Sequence, residues 1–185
     1  MIKTFAKPLL LAAAFSLFFC AQAQADILDS AKRGDVHQVR QYLRRGADIN
    51  TMNREGETAL HKAADNGRTG VVTLLIERGA SVNARDFDGK TALHDAAEGG
   101  YAEIVRILIR HGADVNVQDK KGRTALHEAV EEGHRGIADI LMRHGADPHI
   151  RDRQGRTPFG TDGMPPRGRH DHRHDRHHHS KPHHF

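Results

Sequence analysis

Tryptophan is absent from this chain, cysteine occurs once, and aromatic residues make up only 5% of its 185 residues. The single thiol, Cys20, lies in an apolar N-terminal run, so a mature form beginning after it carries none. Disulfides, thiol catalysis and cysteine metal sites are excluded together for such a form. Hydrophobic residues account for 37%, lean for a compact globule but ordinary for a thin stack with much exposed surface. A charge excess of one sign is also missing from the middle of the chain. Residues 26–155 hold 20 basic and 21 acidic side chains, which gives no electrostatic reason to expect a nucleic-acid partner. The last thirty residues differ: residues 156–185 hold six basic and three acidic side chains together with eight histidines.

Long apolar runs are lacking too. The one such run extends from Leu9 to Cys20, short of the roughly 20 residues a spanning helix needs. Lys3 and Lys7 precede it and Ala23-Gln24-Ala25 follow it, the three-part order of a secretory signal peptide. Phe18 and Phe19 stand before Cys20, where a lipoprotein signal needs a small residue. Cleavage is expected after Ala25, with Ala23 as the second candidate and an uncleaved anchor as the alternative. The mature form is expected in the periplasm of a Gram-negative bacterium, or else outside the cell, with no membrane segment.

What the chain does have is repetition. Residues 89–119, GKTALHDAAEGGYAEIVRILIRHGADVNVQD, recur as residues 56–86 and again as residues 122–152. Thr58, Thr91, Thr124 and Thr157 each lie 33 positions after the last, without slippage. A fixed period in the range of about 20 to 50 residues marks a stack of supersecondary units. With a period of 33 and T-A-L-H opening each complete unit, the chain resembles the ankyrin repeat. That resemblance implies an all-α solenoid of paired helices joined by turn or hairpin loops. It also implies a non-enzymatic, protein-binding role; a monomer that needs no cofactor and touches no nucleic acid is expected. The expected divisions are a signal at 1–25, a repeat domain at 26–159 and a disordered histidine-rich tail at 160–185. Within the domain a cap repeat spans 26–55, full repeats span 56–88, 89–121 and 122–154, and a stub spans 155–159.

Each full repeat reads as two short helices and a long loop. Thr58, Thr91 and Thr124 are expected to N-cap the first helix, and Gly67, Gly100 and Gly133 to end it in the left-handed conformation. The second helix carries Val71, Val72, Leu74, Leu75 and Ile76, matched by Ile104, Val105, Ile107, Leu108 and Ile109. The third copy has Ile137, Ala138, Ile140, Leu141 and Met142, and the helices stop at Gly79, Gly112 and Gly145. Ala63-Ala64, Ala96-Ala97 and Ala129-Val130 are small enough to let first helices approach closely. In the cap, Ile27 and Leu28 replace the leucine and histidine of the motif, and polar residues suit a face that no further repeat covers. At the other end Thr157, Pro158 and Phe159 restart the motif and abandon it, so Phe159 is expected to plug the last repeat. Gly70 and Gly136, early in second helices, depart from the pattern.

His61, His94 and His127 stand in register, but helices packed about 8–10 Å apart cannot bring them to one ion. The resemblance implies a structural role for them, hydrogen-bonding backbone of adjoining turns. Asn50, Asn83 and Asn116 are expected to support loops. No nucleophile elbow, phosphate loop or paired metal-ligand motif occurs in the repeats, so no catalytic set is expected. The binding face implied by the resemblance comprises the loop tips and the exposed ends of the first helices. By position it takes in Met52, Arg54 and Glu57 with Asp65 and Asn66, then Arg85, Phe87, Asp88 and Lys90 with Glu98. The third tip gives Gln118, Lys120, Lys121 and Arg123 with Glu131 and Glu132, and the stub adds Arg151, Arg153 and Arg156. The tips grow basic toward the C-terminus while the helix ends stay acidic. Outside the resemblance stand His170, His172, His174, His177, His178, His179, His183 and His184, imidazoles suited to Zn, Ni or Cu. They motivate the alternative of a metal-binding or buffering protein working through its tail.

Overall fold

The computed structural model describes residues 27–160. The signal-peptide expectation and the tail histidines lie outside the described residues. The chain within them is an all-α solenoid of four helix pairs. Helix α1 covers residues 27–33 and α2 covers Val36–Arg44; α3 (Ala59–Asp65) pairs with α4 (Thr69–Glu77). Then α5 (Ala92–Glu98) pairs with α6 (Ala102–Arg110), and α7 (Ala125–Glu131) with α8 (Arg135–Arg143). The loops are turns, and a single antiparallel bridge, Thr157 to Gly160, is the only β pairing among the described residues.

Two layers result. The first helices α3, α5 and α7 pack side by side, the second helices α2, α4, α6 and α8 do the same, and each first helix packs on its own second helix. Alanine explains the close inner layer: Ala63, Ala64, Ala96, Ala97 and Ala129 are wholly buried, so little side chain separates the backbones. The outer layer supplies the bulk. Val71, Val72, Leu74 and Leu75 of α4 are buried, as are Ile104, Val105, Ile107 and Leu108 of α6. Ile76, Ile109, Ile140 and Met142 reach only the margin of that core. One apolar cluster runs unbroken from Ile27 to Ala146. Helices of seven and nine residues are marginal alone, so burial between neighbours, about 1.5–3 kcal/mol for a full leucine side chain, carries them.

Gly67 shows how closely the sequence sets a boundary. Its φ is +68° and a Cβ there would lie 2.5 Å from the Tyr101 ring of the next repeat, so both backbone and neighbour demand glycine. The Arg68 N–H donates to the Ala63 carbonyl at 2.8 Å, closing the helix end. Gly70 is explained by space, since a Cβ would come within 3.2 Å of Val36 on α2. Nothing in the structure explains Gly136.

The loops are locked by two side-chain devices. Asp86 Oδ1 accepts the N–H groups of Asp88 and Lys90 at 2.9 and 2.8 Å, and Asn53, Asp119 and Asp152 repeat this turn. Successive tips are then joined by one backbone bond each, Phe87 N–H to Glu55 O at 3.0 Å, Lys120 to Asp88 at 2.7 Å and Arg153 to Lys121 at 2.8 Å. The expected loop asparagines act between repeats rather than within one turn. Asn83 Oδ1 accepts the Asp114 N–H at 2.9 Å and its Nδ2 donates to the Gly112 carbonyl at 3.0 Å. Asn116 does the same to Asp147 and Gly145.

The two ends are unequal. Helix α1 buries Ile27, Leu28, Ser30 and Ala31, with Leu28 occupying the histidine position. At the far end Thr157 is buried, Pro158 is covered, and Phe159 packs partly buried against the core. Phe159→Ala is expected to lower stability by about 1–2 kcal/mol, below the cost of a fully buried phenylalanine. Urea unfolding measures the loss, and amide exchange should place the added opening in α7 and α8 rather than in α3 and α4.

Candidate functional site

The three histidines are structural. Thr58 and His61 form a capping box at the start of α3, with the imidazole in the place usually taken by Glu or Gln. The Thr58 N–H donates to His61 Nδ1 at 3.2 Å, so Nδ1 is unprotonated and the ring proton sits on Nε2. Nε2 donates to the Lys90 carbonyl of the next repeat at 3.2 Å. His94 bridges Thr91 to the Arg123 carbonyl and His127 bridges Thr124 to the Arg156 carbonyl in the same way. His61 and His94 are 1% exposed and His127, under the stub, 6%. Burial pushes all three below the ordinary imidazole range, against the carbonyl hydrogen bonds, and takes His94 down to about 4. Among the described residues no group of three or more His, Cys, Asp or Glu is arranged to hold a metal ion.

The inner face is a charge lattice made by the repeat. Glu57, Lys90, Arg123 and Arg156 occupy the position before the capping threonine, and Lys62, Asp95 and Glu128 the position after the histidine. Asp65, Glu98 and Glu131 close the first helices. Lys90 Nζ lies 2.6 Å from Glu98 and 3.6 Å from Glu128, tying two repeats together. Arg123 pairs with Glu128 at 2.6 Å and also with Glu131. Glu57 pairs with Lys62, and Arg156 turns back to Asp152 at 2.9 Å. Burial works against the Glu57 charge, yet hydrogen bonds from Lys62 and Asn53 hold its carboxyl below the ordinary range. Glu128 is raised by burial, with Lys90 and Arg123 opposing.

Asp65, Asp95 and Glu132 have no ion-pair partner within 4 Å among the described residues. Asp95 is the sharpest case. Burial first, then the nearby charges of Asp65, Asp86 and Glu57, push its carboxyl well above the usual range, while Lys90 opposes them. Sequence reasoning missed Lys62, Asp95 and Glu128. The signal was present in the repeat: the residue after a buried histidine, with small buried residues following, must point away from the core.

The tips divide into free and engaged residues. Met52, Arg54, Phe87, Asp88, Lys120, Lys121 and Arg153 are exposed. Arg85 donates to the Gln118 carbonyl, Gln118 Nε2 to the Arg151 carbonyl at 3.1 Å, and Arg151 to the Gly155 carbonyl at 2.6 Å. Asn66 closes α3 on the Lys62 carbonyl at 3.0 Å. Phe87 and Met52, 59% and 49% exposed, are the large hydrophobic side chains that the described residues leave uncovered. Phe87 lies over the preceding tip, where a Cβ on Gly56 would meet its ring at 2.6 Å. Met52 borders a shallow groove with Asn50 and residues 81–84.

The histidines set a pH dependence of stability. The unfolded imidazoles bind protons near 6.5 while folded His94 does so near 4. Protons therefore favour unfolding as pH falls through that window, and the contribution is intact above 6.5. For His94 alone it is on the order of 3 kcal/mol. Asp95 and Glu128, raised in the folded state, work in the opposite sense, gaining stability as they protonate on acidification. His94→Gln should therefore lower the melting temperature at pH 7.5, and the gap to the native chain should narrow by pH 5. Melts at both pH values check this; a constant gap would show that His94 binds its proton equally well in the folded and unfolded chain.

No curated protein matches the chain. A family model described as ankyrin repeats (3 copies) matches residues 27–119 and 88–152. With the period, the histidine-capped first helices and the stacked pairs described above, this chain belongs to the ankyrin-repeat family.

Proposed function

We propose that this chain is an exported, non-enzymatic module that binds another protein through its loop tips and the inner ends of its first helices. The observation that carries the reading is the exposed Phe87 on a tip whose backbone is fixed on both sides. Its N–H donates to Glu55 at 3.0 Å, and the Asp88 carbonyl beside it accepts from Lys120 at 2.7 Å. An aromatic side chain held out on a rigid backbone binds with little ordering cost, and such residues dominate interface energetics. Exposed Met52, Arg54, Lys120 and Arg153 extend the surface along the tips.

The export part of the reading draws on residues 1–25 of the sequence alone. Lys90, Glu98, Arg123 and Glu131 enter the binding reading with a different weight from the free tip residues. Their ion pairs lie within the chain, so they shape the face and its potential more than they offer unspent charge.

Phe87→Ala tests the reading. Capture of a partner from the native extract should weaken at least about tenfold, the loss of a hot-spot side chain. The melting temperature should move by less than about 2 °C, since the side chain covers only the neighbouring tip. Retained capture together with a large fall in melting temperature would make Phe87 a structural residue and remove the main support for this surface.

A further inference from the structure

We propose that the inner face of the solenoid is a docking site for the chain's own C-terminal segment, residues 161–185. The described chain ends at the right place for this. Pro158 and Gly160 line a hollow of about 230 Å³ together with Arg123, Glu131, Asp152 and Arg156, so Gly160 stands at the rim of the inner face, near Glu131. Twenty-five residues follow Gly160. At about 3.3 Å per residue they reach up to roughly 80 Å, whereas three first helices about 10 Å apart span only roughly 20 Å.

Charge selects this occupant. From the loops the face presents Glu57, Lys90, Arg123 and Arg156. The helices add Lys62 and Asp65 from α3, Asp95 and Glu98 from α5, and Glu128, Glu131 and Glu132 from α7. After the internal ion pairs, Asp65, Asp95 and Glu132 have no ion-pair partner within 4 Å among the described residues. Asp95 stands partly buried in the middle of the row, its charge disfavoured by burial and by Asp65, Asp86 and Glu57. Lys90 opposes that shift only in part, so a further cation set against Asp95 relieves the remaining cost. The segment carries Arg167, Arg169, Arg173, Arg176 and Lys181 against Asp162, Asp171 and Asp175. Its eight histidines add further positive charge below about pH 6.5. Docking therefore tightens as the histidines gain charge, down to the pH at which the raised carboxyls of Asp95 and Glu128 protonate, and it loosens in salt. As a regulation of partner capture the inference rests on the binding reading above, because a docked segment would cover the inner half of that surface. As an intramolecular contact it stands apart from it.

Lys181 is the only lysine of the segment, which makes zero-length carbodiimide coupling in the full chain at pH 6 a direct test. The expected product is a monomer in which Lys181 is joined to Glu98, Glu131 or Glu132. Its yield should fall at least about threefold in the Asp65→Asn, Asp95→Asn variant and in 0.5 M salt, where the Debye length is only about 4 Å. The variant keeps all three coupling acids and removes negative charge from the inner face, so its yield reads docking. A circular-dichroism melt confirms that it is folded. Lys181 coupled only to Asp162, Asp171 or Asp175, or spread evenly over the surface, would overturn the proposal. So would coupling found only between chains, which would assign the face to a second copy. Loss of partner capture on Phe87→Ala with no inner-face coupling would leave the binding reading standing and remove only this one.

Discussion

The structure depends on a neutral imidazole placed once in each full repeat. In that state histidine has an acceptor on one side of the ring and a donor on the other. His61 uses the first to satisfy the orphan N–H at the start of its own helix and the second to hold the opening of the next repeat. A carboxylate or an amide can complete the capping box, but neither makes this pair of bonds on opposite edges of one rigid ring. The tip-to-tip backbone bonds and the asparagine staples run parallel to it, so adjacent repeats are tied at three heights. Each tie reaches only the next repeat, which makes stability a sum of nearest-neighbour terms and leaves the ends weakest. His127, covered by a stub in place of a repeat, is accordingly more exposed than its two counterparts.

The same register generates the electrostatics of the inner face. Lys90 pairs with Glu128, the position after the histidine in the following repeat. By that geometry the cation over Asp95 would come from residue 57, and residue 57 is a glutamate that draws Lys62 to itself. One reversed charge at the head of a column thus leaves one carboxyl stranded in the next repeat. The perturbed acid is a consequence of periodic placement with one sign inverted.

Most of the architecture was legible because period, caps and terminators all point to one answer. The T-A-L-H opening, the glycines at fixed offsets and the apolar second helices imply the helix pairs, and the positions of Gly67, Gly100 and Gly133 at positive φ follow. The polar first repeat and the abandoned fourth were readable as caps for the same reason. What the sequence concealed was relational. Nothing in the letters tells that Asn83 reaches the repeat beyond its own, or that Arg85 spends itself on a carbonyl 33 residues away. The charged side chains offered as binding residues were read by position, and position does not say which of them neutralise one another. Lys90 and Arg123 stand among those binding residues and are the centres of ion-pair networks. Asp95 was passed over and is one of three inner-face acids with no ion-pair partner among the described residues.

These two surfaces suit different tasks in the proposed reading. On the tips, Phe87 and Met52 offer apolar area on backbone already ordered by hydrogen bonds, so burying them costs little entropy and sets affinity. On the inner face, a partner must displace or extend charge pairs that are already satisfied, and a wrongly charged partner meets Asp65, Asp95 and Glu132, which pair with no cation among the described residues. Such a face contributes discrimination and encounter rate more than strength. Binding that engaged the tips alone would therefore be sticky and promiscuous, and binding that engaged the inner face alone would be weak and strongly salt-dependent. A selective complex needs a partner long enough to reach from one to the other, apolar where it meets Phe87 and basic where it meets Asp95.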